Sequence, residues 1–387
     1  MSTNSIHRAK EPKLYLSFCL IGILLLIFAA HAHGQQIHQL LYNNLDWTDA
    51  NLNGAVTDSN TGVAAFVTTP NDQPHVYYLS SSDHVHQLFN NGSTWGDEDL
   101  TTESGGPAAM AKSAVAGFSL QNFQYVFYVA NTGDVHQLLY NNISWVDSDL
   151  TAQTGGVLAN PSQLTAFATT PNNQLHVYYM ATNRHINQLF NNGISWANED
   201  LTAETGGPLA SSVGMSGVNI QNFQFVYYVA TNGDVHQLFY NNANWADEDL
   251  TVLTNTLPAA SGSGVAALVV PGSKKLRVYM IASNDHVLQL ASALSKKWSA
   301  SDLTKKTKGP LANPANGMVG FATTPNNQLH VFYLSGNHVN QLFLPTPVTT
   351  WSNQDLTALV GGGLANGTSG MGGFSVQNFQ YVFYVAN

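Results

Sequence analysis

Cysteine is nearly absent from this chain of 387 residues: the only one, Cys19, lies in an apolar stretch near the N-terminus. The remainder has no thiol for a disulfide or for thiolate ligation of a metal, so packing alone must hold it together. Charge is scarce as well. Only 9% of residues are charged, and Asp plus Glu outnumber Lys plus Arg by 23 to 13, for a net charge of −10. Such a surface has no general attraction for phosphate backbones, which excludes nucleic acid as a global partner. Long hydrophobic runs are missing except at residues 14–30, which follow Arg8, Lys10 and Lys13 and precede Ala30-His31-Ala32 and Gly34. A basic region, an apolar region and small residues in that order read as a signal peptide over 1–34 and secretion of the rest. An uncleaved signal anchor is the alternative. It would leave almost no linker before the first strand near Ile37, so the mature chain is expected outside the membrane. Beyond that segment no window has a sustained helical period.

Tryptophan is where the pattern lies. All seven recur at nearly constant spacing, at Trp47, Trp95, Trp145, Trp196, Trp245, Trp298 and Trp351. Six are followed by x-x-x-Asp-Leu-Thr, and the first by a worn Asn51-Leu52-Asn53. A period near 50 residues marks one supersecondary unit copied along the chain. Each copy contains alternating, aromatic-rich runs such as His176-Val177-Tyr178-Tyr179, punctuated by Asn, Gly and Pro. These are strands and hairpins, four per copy, which is the composition of a β-propeller blade. The two ends complete each other: residues 380–387 match 124–131, and residues 37–44 match 135–142. The fold expected over 35–387 is therefore all-β, a seven-bladed propeller of four-stranded antiparallel blades. Its last blade takes two inner strands from the C-terminus and two outer ones from the N-terminus, which removes exposed edges.

The copies come in two kinds. One carries Thr-Thr-Pro-Asn before its second strand, at Pro70, Pro171 and Pro325, and a His before its third, at His84, His185 and His338. The other carries Gln-Asn-Phe-Gln, ending at Gln124, Gln224 and Gln380. They alternate except around 264–304, a divergent copy of the first kind. Eight of the ten basic residues beyond position 34 gather in and around it, including Lys274, Lys275, Arg277, Lys296, Lys297 and Lys305. That cluster is either a solvated, drifting blade or a docking site for an acidic partner over 274–308.

Few positions suggest catalysis. The Asp of Asp-Leu-Thr repeats identically and reads as a turn cap, whereas glycoside hydrolysis needs two carboxylates in distinct environments. No enzyme activity is expected, and a polysaccharide-acting enzyme is the weakest reading. Gln39, Gln87, Gln137, Gln188, Gln237, Gln289 and Gln341 share one place in all seven copies, and a buried amide there would bond the neighbouring blade. His84-x-His86 lacks a third ligand, so neither a metal nor a cofactor is expected.

The tryptophans are the candidate binding residues: Trp47, Trp95, Trp145, Trp196, Trp245 and Trp351, with Asn91, Asn142, Asn192 and Asn242 of the preceding Asn pairs. An indole face suits sugar C–H groups, and amides suit hydroxyls. The other role open to the indole is an inter-blade wedge, and to the Asn pair a tight turn with positive φ. Trp298 follows Ser295-Lys296-Lys297 without the Asn pair and is expected to form a poor site; Trp351 shares that lack. Asn91, Asn142 and Asn366 head Asn-x-Ser/Thr sequons and are candidate glycosylation sites.

Gly-Asp-Val-His-Gln-Leu at 133–138 and 233–238, followed by Trp-x-x-x-Asp-Leu-Thr, resembles the repeats of PLL-type seven-bladed propeller lectins. The resemblance covers 35–387 and implies a multivalent, non-catalytic lectin for fucose-type or O-methylated glycans, bound between adjacent blades. It implies the tryptophans as stacking residues and leaves homo-oligomerisation open. The six-bladed fungal fucose lectins are more distant, because no Arg or Glu repeats in every blade here.

Overall fold

The computed structural model describes residues 34–58, 61–293, 297–315 and 317–387. The signal segment and Lys296 lie outside them, apart from Gly34. Seven four-stranded antiparallel sheets follow one another along the chain. In the first complete blade the strands are Val63–Thr68, Gln73–Leu79, Val85–Asn90 and Trp95–Asp99. The first strands of successive blades pack side by side in an unbroken cycle that returns from Met371–Val376 to Val63–Thr68, so they line the ring's axis. The Trp strand is outermost in each sheet.

The ring closes as the two termini predict. Gln36–Tyr42 pairs with Phe379–Ala386, with Leu40 opposite Val382, and Trp47–Asn51 forms the outer edge of that blade. Hydrophobic clusters run between blades rather than inside them. Tyr77, Leu79 and Leu100 of one blade, for example, share a core with Val126, Leu138 and Trp145 of the next. Each sheet hides both faces against neighbours, which explains second strands that are apolar without interruption, such as Val177, Tyr178, Tyr179 and Met180.

The absence of helical period conceals six helices among the described residues. Each Asp-Leu-Thr opens a five-residue helix, as at Leu100–Ser104 and Leu250–Thr254. One turn is too short to show a repeat. The Asp caps it: the Asp249 carboxylate accepts a hydrogen bond from the Val252 amide at 2.9 Å. The Leu and Thr are buried, and the Thr251 hydroxyl oxygen accepts from the Val235 amide at 2.9 Å, tying the helix to the third strand. In the first helix the chain leaves through Gly105 at φ 69°, a left-handed cap that glycine adopts without strain. Asp249→Ala should therefore cost about 1 kcal/mol, the usual worth of an N-cap. A modest drop in chemical-denaturation stability, with ligand binding unchanged, is the expected result; lost binding at full stability would contradict it.

Candidate functional site

The site begins with the outer Trp. Each of the seven indoles meets an aromatic ring in the second strand of the preceding blade edge to face, from Trp95 on Phe383 at 5.8 Å to Trp196 on Phe127 at 6.4 Å. The indole is thus wedged between blades. Its cross-strand neighbour differs with the kind of blade. Tyr42, Tyr140 and Tyr240 lie opposite Trp47, Trp145 and Trp245 in the second kind, whereas Asn90 and Asn191 lie opposite Trp95 and Trp196 in the first.

Where a blade of the first kind precedes one of the second, the wedge also becomes the wall of a cavity. Three interfaces have this order, and all three hold the same constellation. The cavity between 63–99 and 115–149 has a volume of about 370 Å³ and is lined by His75, Gln87, Gln124, Tyr140 and Trp145. Its counterpart between 159–200 and 210–249, about 160 Å³, has His176, Gln188, Gln224, Tyr240 and Trp245. The third, about 350 Å³, joins 319–355 to the closing blade through His330, Gln341, Gln380, Tyr42 and Trp47. Glu98 with Glu103, and Glu199 with Glu204, stand in the first two cavities, where the third has Gln354 and Leu359.

The polar side of each cavity is a hydrogen-bonded relay across the blade boundary. Gln188 Nε2 donates to His176 Nδ1 at 2.6 Å and to Gln224 Oε1 of the next blade at 3.2 Å. Tyr178 donates to the same Gln224 oxygen. Gln87 makes the equivalent bonds to His75 and, at 3.0 Å, to Gln124; Gln341 bonds His330 at 2.8 Å and Gln380 at 2.9 Å. An Nδ1 that accepts fixes the neutral imidazole with its proton on Nε2, which then faces Thr169 Oγ1 at 3.3 Å or Thr68 Oγ1 at 3.4 Å. Burial holds these imidazoles well below the ordinary histidine value: His75 at about 4, His176 and His330 at about 3. Glu98 and Glu199 move the other way, raised first by burial and next by Glu103 and Glu204 respectively; Glu199 also accepts a hydrogen bond from Trp245. A cavity with one indole, one tyrosine ring, fixed amides and few charges suits a neutral, hydroxyl-rich ligand.

The other sequence-derived candidates fall elsewhere. Asn91 and Asn192 spend their side-chain oxygens inside the hairpin turns: Asn192 Oδ1 accepts from the Ile194 and Ser195 amides at 2.9 and 3.0 Å. Asn142 and Asn242 occupy left-handed turn positions at φ 70° and 73°. Asn91 and Asn142 are exposed at hairpin tips, and Asn366 is half-buried, bonding Asn387 at 3.1 Å. Trp95, Trp196 and Trp351 keep the wedge contact, to Phe383, Phe127 and Tyr279. Trp298 lines the largest of these cavities, built differently from the other three. The histidines before and within the third strands bond carboxylates of their own blades, as His84 does Asp99 at 2.7 Å and His86 does Asp97 at 3.2 Å. Among the described residues no group of three or more metal-ligating side chains converges. In the basic blade Arg277 is partly buried and donates to the Leu276 carbonyl at 2.8 Å, and Lys305 and Lys306 occupy a helix's last turn.

Sequence reasoning missed His75, His176 and His330 and treated Gln124, Gln224 and Gln380 as markers of blade kind. The available signal was that the His occurs only in the first kind and the Gln only in the second, so they meet at particular interfaces.

No protein-family profile and no curated protein sequence matches the chain. Solved structures do. BP39L lectin from Burkholderia pseudomallei aligns with a TM-score of 0.63 and 14% identity, over 82% of this chain and 89% of that one. A mutant of AofleA from Arthrobotrys oligospora aligns at 0.57 and 13%, over 90% and 93%. The six-bladed, fucose-recognising Aleuria aurantia lectin aligns at 0.56 and 18%, over 77% and 96%. The chain shares with these lectins the β-propeller fold, here with seven blades.

Proposed function

We propose that this protein is a multivalent lectin, binding fucose-type or O-methylated glycans without catalysis. The observation that carries the reading is the triple recurrence of one cavity, Trp and Tyr on one wall and a His–Gln–Gln relay on the other. Several like sites on one ring suit a glycan-coated surface, where simultaneous engagement raises affinity by roughly 100- to 10,000-fold. The carboxylate pairs of two cavities are replaced by Gln354 and Leu359 in the third, which fits polar contacts better than an acid–base pair common to all. Fucose binding stated for Aleuria aurantia lectin supports the sugar class. The reading includes secretion after removal of 1–34 and glycosylation at Asn91, Asn142 and Asn366. A glycan on Asn142 would stand beside Ile143 at one cavity mouth.

A glycan array on the mature protein, followed by calorimetric titration with the best monosaccharide, tests this. About three sites per chain are expected, one for each polar cavity. Gln188→Leu cuts the relay of one cavity and should leave two. A blank array with folded protein would overturn the lectin reading; seven equal sites would overturn the assignment to these three interfaces.

A further inference from the structure

The fourth cavity departs from the other three in kind. It lies between 210–249, a blade of the second kind, and the divergent 265–302, with a volume of about 530 Å³. Register shows what changed. Phe225 stands where the polar cavities have His75, His176 and His330, and Leu276 stands where they have Gln124, Gln224 and Gln380. The walls are then Phe225, Phe239, Leu253, Leu276 and the Trp298 indole, giving a slot dominated by flat aromatic and aliphatic surface.

Both losses strand polar groups at the closed end. In the polar cavities the second-strand tyrosine, Tyr77 or Tyr178, donates to the neighbouring blade's Gln; opposite Leu276 there is no amide, and the Tyr227 hydroxyl has no partner. Gln237 Nε2 turns instead to Glu248 Oε2 at 3.0 Å, and Gln237 Oε1 is left buried and unpaired. Gln237 is only 3% exposed and Tyr227 fully buried, so water does not satisfy them in bulk. An unpaired buried acceptor costs stability unless a donor reaches it. The lining carries one charge of each sign, Glu248, which is bonded to Gln237, and Lys297, and favours no net ionic ligand.

We infer that this cavity is a separate binding site, for an uncharged flat aromatic molecule whose one hydroxyl or N–H group enters first and donates to Gln237. The aromatic body lies against the lining rings of Phe225, Phe239 and Trp298, and the donor satisfies the stranded oxygen. A pyranose is a poorer fit, because the His and Gln that would receive its several hydroxyls are gone. Leu175 and Leu329 hold the register of Leu276 in other blades of the first kind, so it is the stranded Gln237 oxygen and Tyr227 hydroxyl that mark this junction.

Calorimetric titration with 2-naphthol tests the inference. One site per chain is expected, undiminished by saturating L-fucose. Leu276→Gln, which restores the amide that three other blades carry, should weaken naphthol by about tenfold or more. Ala293→Trp, at the cavity mouth on a strand end, should do the same without touching the core. Neither variant should alter the sugar profile or its stoichiometry at the three polar cavities. No saturable naphthol binding, several sites per chain, displacement by fucose, or full affinity in the folded variants would each overturn the inference. Naphthol binding in a protein that takes no sugar would leave this site standing while the lectin reading fell.

Discussion

Trp245→Ala is expected to lose one bound sugar per chain and about 3–5 kcal/mol of stability together, since truncating a buried Trp leaves a large cavity. The indole is 8% exposed. It meets Tyr178 of the preceding blade edge to face at 6.1 Å and its own cross-strand Tyr240 at 5.3 Å, and it donates to Glu199. The same ring that wedges two blades apart therefore forms the cavity wall, and the two roles proposed for tryptophan coincide at this position. Trp196→Ala separates them. Trp196 is half-buried, touches Phe127 at 6.4 Å, and faces Asn191 across the strands rather than a tyrosine. It lines none of the three polar cavities, so its loss should lower stability while leaving the sugar stoichiometry intact. Melting temperature and titration on both variants decide the matter. Equal loss of sugar from both would return the site to the bare tryptophan repeat.

Why the fold was legible and the site only partly so follows from where each is encoded. The propeller is written in a long repeat: one Trp about every 50 residues, Asp-Leu-Thr after it, and two termini that match an internal copy. Such redundancy survives local drift, and the divergent blade still forms its four strands from Lys275–Ile281 and its neighbours. The site is encoded across two blades at once. His176 and Gln188 sit in one copy, Gln224 and Trp245 in the next, so reading within a copy finds the parts but not their meeting. The Asn pairs drew attention because they adjoin the Trp in sequence. The hairpin uses their oxygens and positive φ for itself, which keeps them outside the relay. The short helices escaped for a simpler reason, since five residues carry a cap signal but no period. The repeated Gln was read as a bond to the neighbouring blade, and at Gln87, Gln188 and Gln341 it is one.

Alternation of the two blade kinds then takes on a physical meaning. A seven-membered ring cannot alternate throughout, and the irregular neighbour here is the divergent copy, which has Arg277 and Leu276 at the two site positions. The cavities that hold the His–Gln–Gln relay lie at first-to-second junctions. On the proposed reading, site number follows the order of blades rather than their count, so three sites are expected and not seven.

Acid should unfold this protein steeply, starting well above the range in which most carboxylates titrate. His75, His176 and His330 bind a proton at about 4, 3 and 3 in the fold, against 6.5 for the free side chain. The unfolded chain is thus the better proton acceptor, and stability present above pH 6.5 is lost as pH falls towards 4 and then 3. Between pH 7 and 4.5 each imidazole should remove on the order of 2–3 kcal/mol, at about 1.4 kcal/mol per unit of difference. Asp49 and Asp99 have values lowered below 3.8, so what they contribute persists above that value and is lost only lower still. Glu98 and Glu199, raised mainly by burial, act with the opposite sign and offset part of the loss. Three histidines outweigh two half-buried carboxylates. Urea denaturation across this range should therefore show stability falling with a slope approaching three protons. His176→Phe, borrowing the residue that Phe225 places at the same register, should reduce the slope by about one proton. An unchanged slope in that variant would mean the imidazole is not held neutral by the relay.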